Sequence, residues 1–153
     1  VYETLVVVHL LAATVWVGGT VALVFTAVPV LRLLPREQRA DSVRALGRRW
    51  KPLGWGALVV LGASGAWLAF GYWGLDEPDT LSTGDGRLLV AKAALFLTLV
   101  TSAALHDFVL GPRLNLQIRG GFPQTLRRPM QIAGWWTFAA TVTLPILGAI
   151  VTT

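Results

Sequence analysis

Apolar side chains fill four long stretches of the chain, at about 5–31, 53–74, 88–110 and 132–151, with few charges inside them. At 1.5 Å per residue each stretch, coiled as a helix, can cross a hydrocarbon layer of about 30 Å. The first has length to spare and must tilt or overhang. No strict apolar–polar alternation runs through them, which argues against a β-barrel. Backbone N–H and C=O groups in lipid must pair within their own segment, so the stretches are predicted as helices over about 4–33, 52–74, 87–111 and 131–152. The predicted fold is all-α, one integral-membrane four-helix bundle across residues 1–153. The first run reads as a membrane span rather than a signal peptide, since it lacks a basic leading region and its apolar part is about twice too long.

Composition agrees with this pattern. Hydrophobic residues make up 54% of the 153 and charged residues only 14%, against about 25% charged in an ordinary soluble domain. The chain has no cysteine, which rules out disulfides, thiolate metal sites, iron–sulfur clusters and c-type haem attachment.

Charge then orients the bundle. The segment LRLLPREQRADSVRALGRRWK between the first two helices and GPRLNLQIRGGFPQTLRRP between the last two are basic, whereas LDEPDTLSTGDGR in the middle is acidic. The positive-inside rule predicts cytoplasmic basic loops, with the acidic loop and both termini outside. The expected location is the cytoplasmic (inner) membrane, in multi-pass form. The net charge of +5 sits almost wholly in the basic loops, where each residue gains about 1 kcal/mol from anionic lipid. Membrane lipid is thus an expected partner and nucleic acid is not. In the first basic loop Pro35, Val43, Leu46 and Trp50 have the spacing of a short amphipathic helix lying on the inner leaflet.

Ionisable residues inside the spans carry the candidate chemistry. The stretch HLLAATVWVGG, residues 9–19, places His9 near the outer end of the first helix, Trp16 two turns on, and Gly18 and Gly19 beyond it. A small-residue surface of this kind admits either a second helix or a flat macrocycle. Lys92 stands at a matching depth in the third helix, which runs in the same direction. An ammonium has no lone pair, so ligation would need the neutral amine; snorkelling to the interface accounts for a lysine at this depth equally well. His106 and Asp107 lie about 21 Å deeper than Lys92 along the helix. Two axial nitrogens of one haem iron must lie about 4 Å apart. His9 and His106 of one chain cannot meet that requirement, but His9 and Lys92 can. The pair His106–Asp107 is a second polar site, either a carboxylate serving the basic loop or a site for protons or a second metal.

These residues carry a resemblance. HLLAATVWVGG, then GRLLVAKAALFLTL and ALHDFVLGPRL, resemble the copper-resistance D (CopD-type) membrane domain. The chain is also similar to the four-helix membrane protoporphyrinogen oxidases of the HemJ type, with an early histidine, a following tryptophan and a lysine in the third helix. That second likeness implies b-type haem held by His9 and Lys92. The oxidase pattern of Pro-Arg followed by a second histidine is missing after the first helix, where Val28-Pro29-Val30 stands.

The leading expectation is therefore a haem b protein, an oxidoreductase or electron-transfer component of the HemJ-like kind. His9 and Lys92 would be axial ligands and Trp16 and Gly19 pocket residues. A quinone or porphyrin-like substrate would be the partner, and a homodimer would form through the small-residue faces. The alternative is CopD-like copper transport or resistance, with copper at His9 beside Glu3 or the Val1 amine. Cu(I) prefers thiolates and thioethers, and the chain offers Met130 alone.

Overall fold

A computed structural model describes residues 1–77, 79–119 and 125–151. Four of its helices are long and apolar enough to cross a membrane, and every element among the described residues is helical. The first helix runs over Tyr2–Arg32, the second over Arg36–Gly71. The third runs as Gly84–Ala104, Leu105–Leu110 and Gly111–Arg119 without a break, and the fourth over Arg127–Val151. The chain divides into two compact units, Val1–Gly86 and Arg87–Thr153, each essentially one helical hairpin.

The first and third helices each contain a wider π turn, at Leu23–Ala27 and at Leu105–Leu110. Each ends two residues before a proline, Pro29 or Pro112. A proline has no N–H to give to the carbonyl four residues back, and its ring presses on that carbonyl. The wider turn is how the helix passes that point.

The second helix differs from expectation. The basic stretch predicted to lie as a separate short helix is continuous with the span, giving one helix of 36 residues, about 54 Å long. Pro52 lies inside it, where a proline costs about 3 kcal/mol. Packing on either side offsets this. Trp50 and Gly54 flank the proline, and both sit against the first helix: the Trp50 ring lies over Gly19, and Trp16 and Trp50 both border Gly54. The Trp16 and Trp50 rings are 6.1 Å apart. Arg39 uses the same continuity, donating from Nη2 to the carbonyls of Arg32 at 2.6 Å and Leu34 at 2.9 Å. It thereby caps the C-terminal end of the first helix.

The far end of this hairpin closes with Tyr2 stacked on Tyr72 at 4.0 Å. Gly74 adopts a positive φ of 60° and ends the second helix, while Trp73 N–H donates to Leu68 O and Leu75 N–H to Ala69 O. The third helix opens on a side-chain cap, Gly86 N–H donating to Thr83 Oγ1 at 3.0 Å.

The second hairpin is tied by hydroxyls. Ser102 Oγ donates to Ala133 O at 2.9 Å, and Thr137 lies within hydrogen-bond reach of both Ser102 Oγ and Ala133 O. Leu99 and Thr141 are almost wholly buried, 1% exposed each.

The Gly19 contact gives a direct test. A Cβ there would run into the Trp50 ring, whereas Gly18 has open space. Gly19→Ala is expected to cost about 1–3 kcal/mol as overpacking, and Gly18→Ala close to nothing. Thermal unfolding in detergent checks this; equal melting temperatures for the two variants would contradict the described seam.

Candidate functional site

In the first hairpin the second helix builds the surroundings of His9. His9 is half-buried, and its Nδ1 lies 2.8 Å from Ser64 Oγ. Ser64 is buried, 5% exposed, and its hydroxyl proton is already given to Val60 O at 2.6 Å. With the serine proton on Val60, Ser64 Oγ accepts from the histidine, an arrangement that favours the tautomer with the ring proton on Nδ1 and the lone pair at Nε2. This is how a second residue fixes the tautomer of a ligating histidine. The ring also lies over Gly65, where a Cβ would be 3.3 Å from His9 Cε1. Histidine, serine and glycine together form one oriented site.

Trp16 and Gly19 take a different part from the one expected. Trp16 is buried, 7% exposed, against Trp50 and Gly54, and the close approach that Gly19 permits is taken by the Trp50 ring. Both residues close the hairpin. The chain's own tryptophan, rather than a flat macrocycle, covers that glycine.

Lys92 belongs to the second hairpin. It is half-buried, and its Nζ lies 3.3 Å from where a Cβ on Gly148 would stand. His106 and Asp107 are half-buried in the same hairpin, with Nδ1 and Oδ1 3.0 Å apart. Adjacent residues on a regular α-helix point apart, and here both sit in the π turn Leu105–Leu110. The His106 Nε2 edge faces Gly134. An apolar groove of about 780 Å³ opens nearby between the third and fourth helices, with Ser102, Trp136 and Arg128 among its walls. No group of three or more His, Cys, Asp or Glu that could hold a metal ion exists among the described residues.

Sequence reasoning missed Ser64. A lone hydroxyl in an otherwise apolar stretch, VVLGASGAW, is the signal that pointed to it.

A multi-pass membrane chain of four apolar helices is the class these features define. The model of the copper resistance protein D (CopD) family matches residues 44–151, and the chain belongs to that family. The matched segment includes Ser64, Gly65, Lys92, His106 and Gly148, whereas His9 and the first helix precede it. The chain is 31% identical over 115 residues to the inner membrane protein YebZ of Escherichia coli (strain K12), covering 75% of this chain. It spans 37% of that relative's length. No solved structure matches the chain.

The Ser64 contact is testable. The protein has two histidines, so 15N spectra of labelled imidazoles are readily assigned with a His106→Gln variant. His9 is expected as the Nδ1-protonated tautomer, and Ser64→Ala is expected to give a mixture of tautomers. An unchanged His9 signal in Ser64→Ala would show that another group holds the ring.

Proposed function

We propose that this chain is the membrane-embedded part of a copper-handling protein of the cytoplasmic membrane, with copper as its cargo and His9 as a contact for the ion. The observation that carries the reading is membership in the copper resistance protein D family. The chemistry of His9 supports it. An imidazole whose Nδ1 proton is given to Ser64 offers Nε2 to a metal, and imidazole suits copper.

The donor set also limits the kind of binding. A single nitrogen, with no cluster of three ligating side chains among the described residues and no cysteine in the chain, does not make a closed storage site. It suits passage, where an ion must be held well enough to enter and weakly enough to leave. The haem b reading has no comparable support. The family speaks of copper, and the glycine surface offered for a macrocycle is covered by Trp50.

Copper titration of the purified protein and its absorption spectrum test the proposal together. Copper binding should weaken by at least about tenfold in His9→Ala and by about tenfold in Ser64→Ala, the usual cost of losing a partner that orients a ligand. His106→Ala should bind as the unaltered protein does. No Soret band should appear, with or without added haem. A Soret band that disappears in His9→Ala would replace copper with haem, and copper affinity indifferent to His9 would remove that residue from the site.

A further inference from the structure

We propose that the two hairpins are copies of one duplicated unit, and that Lys92 set over Gly148 is the second copy of the position that His9 set over Gly65 occupies in the first. The step along the chain from His9 to Lys92 equals the step from Gly65 to Gly148. In each hairpin the ionisable side chain lies against its own glycine on the returning helix, with the same 3.3 Å to the place of a Cβ. Two pairs in contact, related by one step, are harder to obtain by chance than matching apolar letters.

The same step carries other features across without a gap. It takes Phe25 to Phe108 and Pro29 to Pro112, and with them the π turn that ends two residues before each proline. It takes buried Trp16 to buried Leu99, Thr20 to Ala103, Ala57 to Ala140 and Leu58 to Thr141. The faces that close the two hairpins are therefore the same face.

The crossing point is shared although its filling differs. Gly19, Trp50 and Gly54 map onto Ser102, Ala133 and Thr137. In the first hairpin the Trp50 ring occupies the space left by two glycines. In the second, Ser102 reaches across to the Ala133 carbonyl, and Thr137, one turn along from Ala133, lies within hydrogen-bond reach of Ser102 Oγ. A large ring on glycine and a pair of hydroxyls on a carbonyl are two solutions for the same close approach.

The site has diverged in one further respect. Ser64, which holds the His9 ring, maps onto Leu147, which has no hydroxyl to offer. The first copy presents the lone pair of a fixed imidazole and the second presents an amine. Lys92 thus stands at the position that His9 occupies in the first copy. This equivalence does not depend on the copper reading.

Two measurements on the full chain test it without copper. Spin labels on Phe25→Cys with Val59→Cys and, separately, on Phe108→Cys with Val142→Cys report the same pair of equivalent exposed sites in each hairpin, in a protein free of native cysteine. The two distance distributions should agree within about half a helical turn, roughly 3 Å; a larger difference overturns the duplication. The second variant is Lys92→His with Leu147→Ser. Its introduced imidazole should show the Nδ1-protonated tautomer of His9 in 15N spectra. A freely exchanging, solvent-like imidazole in the folded variant would overturn the equivalence of the two positions. Should that variant fail to fold, the spin-label distances alone decide.

Discussion

Inside a hydrocarbon layer two helices gain nothing from pressing leucines together, because lipid tails are equally apolar. A membrane hairpin must be closed by something lipid cannot supply, and in this chain that is the close approach of two backbones. Trp50 lying over Gly19 closes the first hairpin, and the Ser102–Thr137–Ala133 tie closes the second. Everything else about the sites depends on that approach. Three turns from the tryptophan seam the helices are still near enough for a histidine to reach a serine hydroxyl at 2.8 Å, with a glycine beneath its ring.

The same requirement explains why Pro52 is tolerated. A proline in mid-helix normally marks a boundary, and it separates the basic stretch from the apolar one in the sequence. The ring and glycine on either side of it fasten the second helix to the first across the proline, so the helix passes through. The basic stretch gains a fixed direction from this, and Arg39 can return to cap the carbonyls of Arg32 and Leu34. A charge of the basic stretch thus satisfies a helix end.

The fold class was legible in the chain, because four apolar runs of membrane length leave the backbone no choice but helix. The helix ends were less so. The third helix starts at Gly84 through the Thr83 cap and continues past Leu110 through a π turn, and neither cap nor π turn follows from hydropathy. His9 was legible as a residue out of place in an apolar run. Its partner was not, since Ser64 is separated from it by 55 positions and only the crossing of the helices brings them together. Gly19 was read as a place where either a second helix or a flat macrocycle could come close, and the ring that lies there is that of Trp50, which the spacing of Val43, Leu46 and Trp50 had placed on the membrane surface. A tryptophan serving one face of an amphipathic pattern can equally serve a helix seam when the pattern continues into a span.

Under the proposed copper role, the donor set limits how tightly the ion can be held. Tight copper binding without thiolates needs several nitrogen or thioether donors arranged about one ion, and single donors on apolar helices do not provide that. The chain spans 37% of the relative's length. On the proposed copper reading, weak contact is an advantage in a segment that must release the ion. Ser64 would then act on affinity through direction, by favouring one tautomer of the imidazole with its lone pair aimed along one line. The glycine beneath the ring leaves that orientation unstrained, and the second hairpin keeps the same glycine at Gly148 while replacing both polar partners.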